Sequence, residues 1–369
     1  MKARPGSQAF CRTRSTTQRI TSGNAQVLLE TTDGTISEIA RIVGYENSMY
    51  FSRLFRKEKG MSPLKYRKAF LEGVFDVSAA KGDFAVVCGI IIGRREGGAD
   101  MFDREAAVSA FRAYTAGYDP ENTMIRLKIE HTFRVADLCG RIAGSLGMAG
   151  GPLDLAWFLG LLHDIGRFEQ VRRYGTFFDA KSVDHAEFGA DLLFREGLIG
   201  RFPAEGLPEG WQKLSETAIR MHNKLILPEN LDPQTRVLAE ILRDADKVDI
   251  FRVVAEIPLE ERLGKSAAEL TAEEDLTPEV MACVYEHRCV PRSVRRTRFD
   301  NHISHGCMAF ELVFDESRRI AEEQGFLDRL LAEKDENGRQ IWNGKETEAL
   351  RILRQEIRRM FEGSKNTGY

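Results

Sequence analysis

The sequence predicts an all-α protein in which a large helical bundle follows a small helical module. Two observations carry this. Apolar residues recur at the helical period over almost the whole chain from Met101 onward, with no strand-like alternation. A second, shorter helical pattern runs from Ala25 to Leu71. A length of 369 residues exceeds one ordinary core and so favours more than one domain. The chain divides into a basic, aperiodic and disordered tail over 1–24, a helical segment over 25–72, a linker over 73–100 and a large helical domain over 101–362.

Within the large domain, helices are expected near 103–115, 121–146, 153–165, 182–196, 210–225, 234–255, 277–288, 306–323, 325–334 and 344–361, with Gly or Pro in the loops between several of them. In the linker, Phe84 to Ile92 is a short apolar run that reads as one strand or as nothing stable. It is the longest apolar run, far below the roughly 20 residues of a membrane span. No secretory h-region follows Lys2 and Arg4, so a cytoplasmic protein without a membrane partner is expected. Cys11, Cys88, Cys139, Cys283, Cys289 and Cys307 form no CxxC and read as reduced thiols.

The net charge of −3 conceals an asymmetry: residues 1–72 carry 13 Lys/Arg against 6 Asp/Glu, and the remainder 40 against 50. A small basic segment joined to an acidic body suggests a polyanion-binding module. Ile36, Ile39, Ala40 and Val43 share one helix face, and Gly44 supplies a stop. Asn47-Ser48 can cap a second helix through Tyr50, Phe51, Leu54 and Phe55. Two short helices around a glycine turn fit a helix-turn-helix, with Arg53, Arg56, Lys57, Lys59, Lys65, Arg67 and Lys68 available to phosphates. Periodicity alone would equally suit a plain helical hairpin.

The string Ile36-Ser37-Glu38-Ile39-Ala40, Val43-Gly44-Tyr45, Tyr50-Phe51-Ser52-Arg53, Phe55, Gly60, Ser62-Pro63 and Tyr66-Arg67 resembles the second helix-turn-helix of AraC-type transcription regulators over about 45 residues. The resemblance implies weak DNA binding through Asn47, Ser48, Tyr50, Arg53, Arg56 and Lys57. Residues 25–31 look like the end of the helix that joins two such units in that family, and no first unit precedes them.

In the large domain, His131, His163-Asp164, His222 and Asp246 each stand on an otherwise apolar helical face. Singly, each has a bland explanation as a hydrogen-bonded core residue or a cap. Together they are costly to bury unless a cation answers the carboxylates. Imidazole and carboxylate ligands suit Mn, Fe, Co, Ni or Zn. Adjacent ligands at 163 and 164 point about 100° apart on a helix, so both can face one ion only near a helix end, which Gly166 is expected to provide.

The strings Glu130-His131-Thr132-Phe133-Arg134-Val135, Leu161-Leu162-His163-Asp164-Ile165-Gly166-Arg167 and Arg243-Asp244-Ala245-Asp246-Lys247 resemble the HD superfamily of metal-dependent phosphohydrolases. The resemblance covers roughly 101–300 and implies an all-helical fold with His131, His163, Asp164 and Asp246 around a metal. Asp184-His185-Ala186-Glu187-Phe188-Gly189 and His222 resemble strings that in binuclear HD-GYP phosphodiesterases hold a second metal, although Asn223 follows His222 and no Gly-Tyr-Pro is present. One or two divalent transition-metal ions are therefore expected. Ser182 is read as the cap that puts His185 in a first helical turn, where the dipole keeps it neutral.

Asp164, Arg167 and Lys247 are the expected catalytic residues, with Lys181 and Lys224 as further phosphate-binding cations. His287, His302 and His305 read as surface or outer-sphere histidines. The expected activity is hydrolysis of a nucleotide or other phosphoester. The alternatives are a DNA-binding regulator whose HD domain senses a ligand without turnover, and an HD-type di-iron oxygenase. Arg94-Arg95-Glu96-Gly97-Gly98 before Met101 also reads as a former intergenic spacer, as in a gene fusion.

Overall fold

A computed structural model describes residues 29, 35–43, 45, 48–59, 62–65, 67, 102–257, 277–334, 338, 340–342 and 344–366. The expected tail over 1–24, the linker over 73–100 and the apolar run within it, Asn47 and the Lys57 side chain lie outside the described residues. The chain falls into two compact units that divide between Val86 and Val87, and each is treated by itself. The fold is all-α: among the described residues there is no strand, only an isolated bridge between Lys334 and Gln340.

In the small unit, α1 (Ile36–Ile42) begins at a reciprocal cap. The Glu38 amide donates to Thr35 Oγ1 at 3.3 Å and the Thr35 amide donates to Glu38 Oε2 at 2.7 Å, which satisfies two otherwise orphaned donors. Helix α2 (Ser48–Lys59) packs Phe51 and Phe55 onto Ile39, Ala40, Val43 and Leu29. The apolar face read from the sequence is thus the small unit's core.

The large unit is built from α3 (Arg104–Thr115), α4 (Thr123–Ser145), α5 (Gly151–Leu162), α6 (Ile165–Tyr174), α7 (His185–Ala190, continued by a π-helical turn Asp191–Arg195), α8 (Trp211–Met221), α9 (Pro233–Glu256), α10 (Pro278–Tyr285), α11 (Arg298–Cys307), α12 (Asp315–Gln324), α13 (Phe326–Leu330) and α14 (Gly344–Asn366). Helix α5 is buried from Leu155 to Leu162, and α4 and α9 pack against it. An element apolar all round belongs at the centre of a bundle. The contact of α4 with α5 is a main-chain one: a Cβ on Gly160 would stand 2.5 Å from the Ala136 Cα.

Several boundaries differ from expectation. Helix α5 ends at Leu162, and a separate helix α6 follows at Ile165 where none was expected. The stretch read as one helix over 306–323 is α11, a 3-10 turn Met308–Glu311 and α12, with most of α11 lying upstream of the expected start. Helix α8 stops at Met221, short of Leu225. No described helix is long and apolar enough to cross a membrane. The described cysteines Cys139, Cys283, Cys289 and Cys307 are free and buried.

Candidate metal centre

The His163-Asp164 pair occupies the joint between α5 and α6. His163 follows the last residue of α5 and keeps helical dihedral angles, while Asp164 turns out of the helix (φ −101°, ψ 17°) and precedes α6 without capping it by its side chain. The carboxylate is therefore left for the interior. Gly166 does not end α5, as the sequence suggested. It lies in the first turn of α6, where a Cβ would meet the His185 carbonyl oxygen at 2.5 Å and the Gly189 nitrogen at 2.7 Å. Its role is to bring α6 against α7 and so His185 against Asp164. The cap of α7 is Asp184, which accepts from the Ala186 and Glu187 amides, and not Ser182.

His131 and His163 present Nε2 to Asp164 Oδ2 at 3.6 and 3.5 Å, and His185 and His222 present Nε2 to Asp164 Oδ1 at 3.6 and 3.9 Å. Asp246 Oδ1 stands 3.1 Å from His131 Nε2 and 3.8 Å from His163 Nε2. Thus one oxygen of Asp164 faces each histidine pair. All six residues expected as ligands converge: His131, His163, Asp164, His185, His222 and Asp246.

Every one of these histidines has its Nδ1 engaged by an acceptor. His131 Nδ1 meets Asp249 Oδ2 at 2.6 Å, His163 the Gly160 carbonyl at 2.7 Å, His185 the Asp179 Oδ2 at 2.7 Å and His222 the Ile219 carbonyl at 2.7 Å. An Nδ1–H that donates outward leaves Nε2 as a bare lone pair. His163 and His222 reach this state by the same local device, each ending its helix and bonding the carbonyl three residues back. The Nε2 atoms of His131 and His163, and Asp164 Oδ1, are buried without a hydrogen-bond partner. His185 Nε2 and His222 Nε2 lie 3.1 Å apart, so two lone pairs confront each other. Such an arrangement is stable where cations lie between the donors, and this donor set fits a divalent transition metal.

The protonation balance agrees. Burial, followed by the neighbouring His185 and His163, pushes the His222 pKa down to about 3, and burial lowers that of His185 despite the Asp179 bond. Both shifts favour the neutral form, which a metal ligand must have. Burial, not the helix dipole, is the leading cause at His185. Against burial, Lys128, His163 and Arg167 hold Asp164 well below the usual carboxylate range. His131 and His163 likewise hold Asp246 down against burial.

Several residues around the centre gave no motif signal. Lys128 Nζ donates to Asp164 Oδ2 at 2.6 Å. Asp249 also accepts from Arg134 Nε at 2.6 Å and Nη2 at 3.0 Å. Asp179 accepts from Arg167 Nη1 at 2.8 Å. Asp249 stands one helical turn from Asp246, and Arg134 lies within the string quoted around His131; Lys128 and Asp179 had no such hint.

A cavity of about 570 Å³ opens onto the centre and is lined by Asp164, His185, His222 and Asp246. Arg167, Lys224 and Lys247 line it too, whereas Lys181 does not and instead lies over the Phe178 ring. Of the leftover histidines, His287 is exposed and pairs with Glu356 at 2.9 Å. His302 is buried beside Trp342, and half-buried His305 lines the cavity, so neither is a surface residue.

Residues 129–250, which hold this constellation, match the HD domain. The chain carries an HD domain. HD domains are typical of metal-dependent phosphohydrolases. Ahead of it, residues 29–68 match the bacterial regulatory helix-turn-helix proteins of the AraC family. Over 46 residues the chain is 44% identical to the MmsAB operon regulatory protein of Pseudomonas aeruginosa, which is 12% of this chain and 15% of that protein. Over 61 residues it is 43% identical to the arabinose operon regulatory protein of Escherichia coli, 16% of this chain and 20% of that one. The chain thus spans a fifth or less of the length of these relatives. No solved structure matches.

On the helix-turn-helix, Tyr50, Arg53 and Arg56 of α2 are exposed and Ser48 is half-buried. Arg67, a candidate for phosphate, instead donates through Nε to the Leu29 carbonyl at 3.2 Å.

Proposed function

We propose that the HD domain is a phosphohydrolase whose centre holds two divalent metal ions. His131, His163, Asp164 and Asp246 would hold the first, and His185 and His222, with Asp164 again, the second. The supporting observation is the outward bonding of every Nδ1, which leaves each Nε2 bare and aimed inward. When bound, such ions lower the pKa of water toward neutrality and neutralise phosphoryl charge.

The chain's own residues then supply orientation and charge. Asp249 and Asp179 fix the tautomers of His131 and His185. Arg167 is held by Asp179 beside Asp164 and, with Lys128, keeps positive charge at the oxygens of the reacting group. Lys247 and Arg243 share Glu311 at 3.2 and 3.3 Å and line the same cavity. In the reaction a water oxygen forms a new bond to phosphorus, the ester P–O bond breaks, and the departing oxygen leaves with a proton. The substrate is a nucleotide or other phosphoester.

The attached α2 supplies weak DNA contact through Tyr50, Arg53 and Arg56, which makes the chain a hydrolase with a regulatory DNA-binding segment. Turnover of bis-p-nitrophenyl phosphate by the manganese-loaded chain, lost on chelation, is the expected result. Full metal content without turnover of that ester or of a nucleotide panel would instead favour a ligand sensor, and oxygen uptake by the iron-loaded chain an oxygenase.

A further inference from the structure

The cations lining the cavity are not alike. Lys128 meets Asp164, Arg167 meets Asp179, Lys224 meets Asp184 at 2.8 Å, and Arg243 and Lys247 both meet Glu311. Each of these charges is answered within the protein. Arg292 and Arg295 line the same cavity, and among the described residues neither pairs with a carboxylate. Arg295 spends its Nε and Nη2 on the Val290 carbonyl, at 3.1 and 2.6 Å, which anchors the guanidinium. The pair sits on a short 3-10 turn, Arg292–Val294, entered through Pro291, so its backbone is constrained. The Arg295 amide donates to the Arg292 carbonyl at 3.3 Å, which closes the turn with both residues on the cavity lining, and burial followed by the charge of Arg292 pushes the Arg295 pKa down.

Two uncompensated arginines held together at a cavity wall want a dianion. The lining of the cavity that the arginines share with the histidines is partly apolar, with Leu225, Ile250, Val290, Pro291 and Met308. Neither arginine lies within residues 129–250, so this wall belongs to the helices that follow the HD match.

We propose that Arg292 and Arg295 form a second phosphate subsite, and that the substrate is an organic bisphosphate: one phosphoryl group sits at the histidine–aspartate centre, the other on the arginine pair, and an organic scaffold spans the apolar lining between them. This deepens the hydrolase reading and rests on it only for turnover; the binding itself can be measured separately.

The test uses the full, manganese-loaded chain and two probes that differ by one phosphate, adenosine 5′-monophosphate and adenosine 3′,5′-bisphosphate. Affinities are measured by calorimetry and, separately, hydrolysis is followed by phosphate release. Charge-assisted bidentate contacts predict at least about tenfold tighter binding of the bisphosphate. In the Arg292→Gln/Arg295→Gln variant that preference falls toward one. Arg292→Gln alone, at an exposed position, reduces it in part and guards against a misfolded double variant. Equal affinities in the parent, or a preference that survives both variants, overturns the subsite. A preference without any hydrolysis leaves the subsite standing and removes the hydrolase reading, whereas hydrolysis of both probes without a preference does the reverse.

Discussion

Replacing Asp249 by Asn keeps the shape of the side chain and removes its second acceptor oxygen. Asp249 serves His131 Nδ1 at 2.6 Å and the Arg134 guanidinium at 2.6 and 3.0 Å, and both oxygens are in use. Oδ2 takes His131 Nδ1 and Arg134 Nη2 while Oδ1 takes Arg134 Nε, and an asparagine oxygen can fill only one of these two positions. If it stays with Arg134, the amide NH2 faces His131 Nδ1, the ring proton moves to Nε2, and the lone pair that would hold a metal is gone. If it turns to His131, two donor groups confront each other at Arg134. Either way about one charge-assisted bond is lost, worth roughly 1.5–3 kcal/mol. Loss of such an orienting partner weakens metal binding by about 10–100-fold, or about 1.4–2.7 kcal/mol. Calorimetric titration of the chelated protein with manganese measures this, and 15N shifts of His131 report the tautomer. An Asp249→Asn variant that binds manganese as the parent does, with the His131 proton still on Nδ1, would refute the reasoning. The pH dependence has a definite sign. Against burial, the bonds from His131 and Arg134 hold the Asp249 carboxyl below its ordinary value. Its contribution is therefore present above the unfolded value, about 3.9, and lost as the pH falls through the lower folded value. The melting temperature of the metal-free variant should fall less steeply with acid below about pH 4 than that of the parent.

Asp164→Ala is expected to lose most bound metal and all hydrolysis, because one carboxylate faces both histidine pairs; His305→Ala, outside both ligand sets, is expected to keep its metal, with elemental analysis of both variants as the check. A fragment beginning at Met101 should be soluble, helical by circular dichroism and able to take up metal, since the large unit has its own core; an insoluble or metal-free fragment counts against this. Duplex DNA binding by the full chain should be weak and fall steeply with salt, and Arg53→Ala and Arg56→Ala should each lower the salt slope by about one; nanomolar, sequence-specific binding by the monomer at physiological salt would contradict it.

The histidines and aspartates of the candidate metal centre were legible because their residue types are rare on apolar helix faces. Their supporting residues were not. Asp249 and Asp179 are ordinary charged residues, and what distinguishes them is a partner on another element, 118 positions away for Asp249 and His131. Helix α6 was hidden because polar Glu169 and Gln170 are buried in it, which breaks the apolar period. Helix α11 was misplaced for a similar reason: buried Asp300, His302 and Ser304 make its inner face look polar. Glu311 gave no signal at all, since its role is to answer two cations on α9.

The two close approaches at glycine act as a ruler. Gly160 lies against the main chain of Ala136, and Gly166 against the main chain of His185 and Gly189. Where main chain touches main chain, spacing is set by covalent geometry and does not depend on which rotamers fill the surrounding core. Substitutions elsewhere in the bundle can then erode stability gradually while the gap between the helices that carry the histidines stays the same. Sequence drift around such a centre is tolerated as long as these two positions remain without a side chain.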